Sequence, residues 1–135
     1  MKKLIAIVLV LVMALSLAAC AASGSDVKTY KVGVAIYQYN DNFMTLYRQE
    51  IENYFKTLET DKVKYEITMV DGKSDMAEQT NQIETFITQK MDVIICNLVQ
   101  TSSAEVIIDK VVAAGIPLVL INREPLGETD ESYPG

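Results

Sequence analysis

The stretch VGVAIYQYNDNF at residues 32–43 joins an apolar run to a polar turn, and it predicts the fold. Residues 32–36 are all apolar or glycine, as in a strand that is buried within a sheet. Asn and Asp at residues 40–42 come directly before an amphipathic segment, where such side chains favour a helix N-terminus. The stretch therefore predicts a strand-to-helix turn. In a parallel α/β sheet, such turns lie at the edge where ligands bind.

The rest of the chain repeats this order of strand and helix. Helical spacing follows at residues 43–58, and capping boxes at Asp75 and Ser102 predict two more helices. Further strands are predicted at residues 63–70, 92–99 and 116–121. Alternating strands and helices require right-handed crossovers and a parallel sheet. We therefore expect a doubly wound α/β fold with strand order 2-1-3-4. The predicted inner face of the second helix consists of Met76, Thr80, Ile83 and Ile87, with Phe86 beside them.

Residues 1–20 have the organisation of a secretory signal peptide. Two lysines precede an uncharged apolar run, and small residues lead up to Cys20. A membrane-spanning helix is the alternative, but the apolar run falls just short of a comfortable spanning length. We expect residues 21–30 to form a flexible tether and residues 31–135 to form the folded domain.

Composition and charge exclude several classes of function. Without residues 1–20, the chain keeps 10 basic and 18 acidic residues, a net charge of −8. This charge argues against a nucleic-acid partner and against a polybasic membrane-binding patch. The chain contains no His, the commonest general base, and no Gly-rich phosphate loop follows the first strand. Metal-ligand spacing is also absent. We therefore expect neither an enzyme nor a cofactor or metal site.

The second thiol of the chain, Cys96, lies in the apolar run at residues 93–96. We expect it to be a small buried side chain. A disulfide between Cys20 and Cys96 is the alternative in an oxidising compartment. That disulfide would leave the small residues before Cys20 unexplained, so a lipid on Cys20 is the preferred interpretation.

Asp41 and Asn97 follow the first and third predicted strands, whose ends meet at the switch point of the sheet. A carboxylate accepts hydrogen bonds and an amide both donates and accepts, so the pair suits the hydroxyls of a neutral polyhydroxy ligand. The ring of Phe43 can cover the apolar C–H face of a sugar. The alternatives are a plain helix N-cap for Asp41 and a staple or core contact for Phe43.

Several motifs, in order and at the right separations, resemble the galactose/glucose-binding members of the type I periplasmic binding proteins. The matching segments are residues 32–37, 41–44, 79–83, 95–99 and 122–125. The resemblance runs from about Lys31 to Tyr133, and it departs from the family at residues 100–101, where Gln-Thr replaces an Asp-Pro pair. The LAAC sequence that ends at Cys20 resembles the lipobox of bacterial lipoproteins, in which the Cys is lipidated.

For function, the resemblance implies an extracytoplasmic solute-binding protein that catalyses no reaction. Such a protein captures a monosaccharide, here galactose or glucose, for the permease of an ABC importer, and a lipid on Cys20 would anchor it to the cell membrane. A sugar-sensing module for a membrane receptor or sensor kinase is the alternative. A flavin-binding enzyme of flavodoxin-like fold is a second one.

For the site, the resemblance implies that Asp41 and Asn97 hydrogen-bond sugar hydroxyls and that Phe43 stacks on the sugar. Asn122 and Arg123 are weaker candidates, because their counterparts serve pentose-binding relatives. The resemblance also implies that residues 31–135 are an incomplete amino-terminal lobe. Any further sugar ligands, and the calcium site of some members, would then lie in a second lobe.

Overall fold

The computed structural model describes residues 27–125, apart from the side chain of Ser103. Four strands and three helices alternate along this part of the chain, and a 3₁₀ turn at Thr101–Ser103 precedes the last helix. The predicted signal peptide and Cys20 lie outside the described residues. The strands are β1 (Lys28–Ile36), β2 (Val63–Asp71), β3 (Val93–Cys96) and β4 (Leu118–Leu120), and the helices are α1 (Asn42–Leu58), α2 (Met76–Thr88) and α3 (Ala104–Ala113).

The four strands form one parallel sheet in the order β2-β1-β3-β4. Side chains of β1 alternate between its two faces, as the period of a strand requires. One face carries Val32, Val34 and Ile36 in a cluster with residues of α1, and the other carries Ala35 in a cluster with residues of α2 and α3. Helices therefore cover both faces. The predicted doubly wound α/β fold and its strand order are confirmed.

The α2 helix packs against β1 at Gly33. A Cβ atom at this position would lie 2.6 Å from Cδ2 of Phe86, well inside van der Waals contact. The buried ring of Phe86 therefore packs directly on the strand backbone. The missing side chain of Gly33 sets the distance between helix and sheet.

Several element boundaries differ from the predicted ones. β1 begins at Lys28, which pairs with Val63, so residues 28–30 extend the sheet where a flexible tether was expected. β3 ends at Cys96, so residues 97–99 leave the sheet as a turn. Ser102 lies inside the 3₁₀ turn that runs directly into α3, and the residue before this turn is Gln100, so the predicted capping position of Ser102 is wrong. These differences arise at element ends, where hydrophobic pattern constrains the backbone least.

The inner face of α2 also differs from the prediction. The buried residues of this helix are Gln79, Ile83 and Phe86, whereas Thr80 is only half-buried and donates its hydroxyl proton to the carbonyl oxygen of Met76 at 2.8 Å. The polar side chain of Gln79 therefore occupies a core position, where it requires hydrogen-bond partners.

Within residues 27–125, no helix is both long enough and apolar enough to cross a membrane.

Candidate functional site

The turns that follow the four strands meet at one edge of the sheet. Backbone hydrogen bonds join these turns. Gly72 N–H donates to Ile36 O at 2.7 Å, Asn97 N–H donates to Ala35 O at 2.8 Å, and Ile121 N–H donates to Cys96 O at 3.0 Å. Such an edge is where α/β sheets bind ligands. The candidate site is therefore built from the turn after β1 together with the ends of β3 and β4.

Asp41 is the N-cap of α1, as its position before the amphipathic segment predicted. Its Oδ1 accepts a hydrogen bond from Met44 N–H at 2.9 Å, which satisfies one of the free amides of the first turn. Its Oδ2 accepts the hydroxyl proton of Tyr37 at 2.7 Å. The side chain is half-buried. Asp41 therefore caps the helix and still borders the surface of the site.

Hydrogen bonds hold the Asp41 carboxylate in its charged form. The Met44 N–H, and then the Tyr37 hydroxyl, lower the pKa of Asp41 below its ordinary value. The same bond raises the pKa of Tyr37, because ionising its hydroxyl would remove the donor and place two negative charges side by side. At neutral pH the pair is thus a neutral phenol donating to a carboxylate.

Phe43, in the first turn of α1, projects from the surface. Its side chain is 58% exposed and stacks on Tyr47 with ring centroids 5.8 Å apart. The alternative of a core contact for Phe43 is therefore wrong. An exposed aromatic ring two residues after a carboxylate can cover an apolar ligand surface.

Asn97 lies at the end of β3, where it was predicted, but its side chain is 0% exposed. Its Nδ2 donates to Ile121 O at 3.0 Å, and its Oδ1 accepts from Tyr37 N–H at 3.4 Å. The amide thus ties the ends of β1 and β4 to β3. The predicted orientation, with Asn97 facing an open crevice, does not occur in this structure. Its direct contact with a ligand stays a prediction.

Arg123 follows β4 and reaches across the edge of the sheet. Its Nη1 donates to the carbonyl oxygens of Leu98 and Val99 at 2.9 and 2.8 Å. Its guanidinium carbon lies 4.0 Å from the centroid of the Tyr37 ring, in a cation–π contact. Asn122 is exposed and has a φ of 64°, which turns the chain sharply at the end of β4. Arg123 thus contacts the Tyr37 ring and the chain after β3 with one guanidinium group.

Gln79 is a supporting residue that the sequence analysis did not predict. It is fully buried, its Nε2 donates to Asn97 O at 2.9 Å, and its Oε1 accepts from Val99 N–H at 2.8 Å. These bonds replace the strand pairing that ends at Cys96. The available signal was its spacing, because position 79 is three residues after Met76 and four before Ile83 on one helical face.

Cys96 is a free and fully buried thiol, and Cys20, its partner in the alternative disulfide, lies outside the described residues. Burial raises the pKa of Cys96 to about 12, which leaves the thiol protonated and unreactive. Its predicted role as a small core side chain is confirmed. Among residues 27–125, no group of three or more His, Cys, Asp and Glu side chains is placed to hold a metal ion.

Comparison with known proteins places this chain in a family. A model of the periplasmic binding protein domain matches residues 32–135. The D-galactose/methyl-galactoside binding periplasmic protein MglB of Haemophilus influenzae is 32% identical over 112 residues, which are 83% of this chain and 33% of that protein. A putative rhizopine-binding protein of Rhizobium meliloti is 38% identical over 95 residues, which are 70% of this chain and 29% of that protein.

Solved structures agree with these relatives. The crystal structure of an ABC transporter solute-binding protein from Bacillus halodurans, with bound myo-inositol, superposes with a TM-score of 0.63 at 33% sequence identity. The match covers 78% of this chain and 34% of that one. This chain thus spans about a third of the length of the relatives that it matches. By the domain match and the fold together, the chain belongs to the periplasmic binding protein domain family.

Proposed function

We propose that this chain is the amino-terminal part of an extracytoplasmic solute-binding protein that captures a monosaccharide for an ABC importer. The observation that carries the proposal is Asp41, an ionised and half-buried carboxylate two residues before the exposed Phe43. A carboxylate offers about four acceptor positions, and the two bonds described above leave positions for ligand hydroxyls. No general base or nucleophile is needed for such a role.

Within this proposal, Asp41 accepts hydrogen bonds from sugar hydroxyls and Phe43 covers an apolar C–H face of the ring. A hydrogen bond to a charged acceptor is stronger than one between neutral groups, and it favours a ligand that donates. For Asn97 we propose a contact that needs its side chain to become accessible, since the Tyr37 N–H occupies its oxygen at 3.4 Å. The long distance makes this the weaker of its two side-chain bonds.

The ligand that we propose is galactose or glucose, as the sequence resemblance implies. The relatives include a galactose-binding protein and a solute-binding protein with bound myo-inositol. Both ligands are neutral rings that carry several hydroxyls, which is the chemistry that a carboxylate and an aromatic face recognise. We further propose that the permease of an ABC importer is the protein partner, and that a lipid on Cys20 holds the domain at the outer face of the membrane.

Replacing Asp41 by Asn tests the proposed site. Asn is as good an N-cap as Asp, so α1 should keep its stability while the site loses its charge. Because a hydrogen bond to a charged group contributes roughly 1.5–3 kcal/mol, we expect sugar affinity to fall by about 10- to 100-fold. Titration calorimetry with galactose, glucose, ribose and myo-inositol, on the protein expressed from its whole gene, measures this.

The matched control is Asp75→Asn. Asp75 caps α2 by accepting from Ala77 N–H and Glu78 N–H at 2.8 and 3.0 Å, so the same chemical change is made at a second helix cap. Its affinity should equal that of the wild type. If the wild type binds none of the four compounds, or if Asp41→Asn binds as tightly as the wild type, the proposal is wrong.

A further inference from the structure

The two oxygens of Asp41 have different partners. Oδ1 accepts from the backbone of α1 at Met44, and this bond needs nothing beyond a helix N-terminus. Oδ2 accepts from the hydroxyl of Tyr37, a side chain four residues earlier in the same turn. The first bond serves the helix. The second bond has no role in capping, so it calls for another explanation.

The proton of the Tyr37 hydroxyl has a defined direction. Ser74 Oγ donates to Gln38 Oε1 at 2.7 Å, which turns the Gln38 amide nitrogen towards Tyr37. Gln38 Nε2 then donates to the Tyr37 oxygen at 3.4 Å. Because the Tyr37 oxygen accepts from Gln38, its own proton is available for Asp41. A chain of hydrogen bonds therefore runs from the turn after β2 to the carboxylate.

The ring of Tyr37 is also held in place. Arg123 lies 4.0 Å from its centroid, and the same guanidinium is bonded to the carbonyl oxygens at the end of β3. Besides the backbone N–H groups of Met44 and Phe43, the groups that favour the ionised Asp41 carboxylate are Tyr37 in its own turn and Arg123 after β4. Tyr37 acts through a direct hydrogen bond and Arg123 through its charge.

We propose that Tyr37 is a positioning residue of the candidate site, whose hydroxyl locks the Asp41 carboxylate in one orientation and keeps it a pure hydrogen-bond acceptor. This inference rests on the proposed function. Each carboxylate oxygen then accepts one hydrogen bond within the protein. Its remaining acceptor positions face hydroxyl donors in a fixed geometry. Tyr37 acts on the ligand through Asp41, by removing the side-chain freedom that binding would otherwise have to restrict.

Tyr37→Phe tests this inference, because it removes only the hydroxyl and keeps the ring under Arg123. We expect the affinity for the bound sugar at pH 7 to fall on the order of 10-fold, the lower end of what one hydrogen bond to a charged group contributes. We also expect the pKa of Asp41, measured in the ligand-free protein from its ¹³C carboxyl chemical shift, to rise towards its ordinary value. Loss of a donor to the charged form has that sign.

The control variant is Tyr54→Phe, which makes the same change at an exposed position on α1. It should alter neither the affinity nor the pKa of Asp41. A merely structural role for the Tyr37 hydroxyl would lower stability without moving that pKa, so the carboxyl titration separates the two roles.

The outcomes separate this inference from the proposed function. If wild-type protein binds no sugar, the proposed function fails and the inference fails with it. If wild-type protein binds and Tyr37→Phe binds equally well, only the inference is overturned. A lower affinity with an unchanged pKa of Asp41 also overturns it, because the hydroxyl would then act directly on the ligand or through the fold.

Discussion

Gln79 and Asn97 are both fully buried, and a hydrogen bond connects them at the end of β3. The Gln79 side chain bonds the backbone on both sides of Leu98, while the Asn97 side chain bonds Tyr37 and Ile121. Together they supply partners for backbone groups that the strands leave unpaired. A buried polar pair of this kind specifies one arrangement of three strand ends. Each alternative arrangement would leave a buried donor or acceptor without a hydrogen-bond partner.

At the scale of single residues, we predict that Gln79→Ala destabilises the fold strongly. The change leaves the buried Asn97 O and the half-buried Val99 N–H without their Gln79 partners, and each such loss costs roughly 1–3 kcal/mol. We expect a loss of about 2–4 kcal/mol in the free energy of unfolding, measured by urea denaturation. Gln49→Ala, the same change at an exposed position of α1, is the control and should alter stability by less than about 0.5 kcal/mol. Equal losses in the two variants would contradict the role given to Gln79.

At the scale of elements, the contact between α2 and β1 determines how closely a helix lies on the sheet. Phe86 packs over Gly33, and the turn between β2 and α2 packs against the turn after β1 through Gly72. The Gly72 N–H donates to Ile36 O at 2.7 Å, and a Cβ on Gly72 would lie 3.0 Å from that same oxygen. The two glycines thus let backbones approach where side chains would keep them apart. This packing places Ser74 against Gln38 and so reaches the candidate site.

We predict that Gly33→Ala lowers the free energy of unfolding by about 1–3 kcal/mol, because the added methyl group overpacks the core against Phe86. In a Phe86→Leu background, the same substitution should cost less, since the smaller side chain leaves room. Urea denaturation of the two single variants and the double variant measures the coupling between the positions.

Gly115→Ala is the control for this comparison of the wild-type and Phe86→Leu backgrounds. Gly115 has a φ of +68°, and a Cβ added there would meet no atom of the described residues within 4 Å, so its substitution strains the backbone without any clash. Its cost should be the same in both backgrounds. If Gly33→Ala also lowers the free energy of unfolding equally in both backgrounds, the contact with Phe86 does not explain why glycine occupies position 33.

At the scale of the whole molecule, the described residues gather the candidate site at one end of the sheet. Asp41, Tyr37 and Phe43 lie at one edge of a four-stranded sheet, and the chain spans about a third of the length of its relatives. Membership of the periplasmic binding protein domain family implies a location outside the cytoplasm for this chain. Its proposed attachment to a membrane depends on Cys20 alone.

We predict that Cys20→Ser releases the protein from the membrane fraction of the cells that produce it. Lipid chains bind a bilayer by burying methylene groups, at roughly 0.8 kcal/mol each, and Ser has no thiol to carry a thioether-linked lipid. Cell fractionation and mass measurement of the mature protein check this. Cys96→Ala is the control, since it removes the buried thiol and should leave the protein membrane-bound. Recovery of Cys20→Ser in the same fraction as the wild type would contradict the anchor.

The sequence by itself determined the order of strands and helices, the parallel sheet and the place of Asp41 at a helix N-terminus. These features follow from hydrophobic period and capping chemistry, which act over a few neighbouring residues. The same local signals located Asn97 at a strand end. They also singled out Asp41 and Phe43 as residues of one turn.

Only the tertiary structure decided which polar groups are accessible and which are buried and hydrogen-bonded inside the fold. Asn97 is buried because Tyr37 and Ile121, which are 60 and 24 residues away in sequence, converge on its side chain. Arg123 and Gln79 support the site through contacts of the same long range. Accessibility depends on how distant strand ends meet, and no periodicity within one element encodes that meeting. For this reason the sequence located Asp41 and Asn97 after the strands where they are found, but it did not distinguish the carboxylate at the surface from the buried amide.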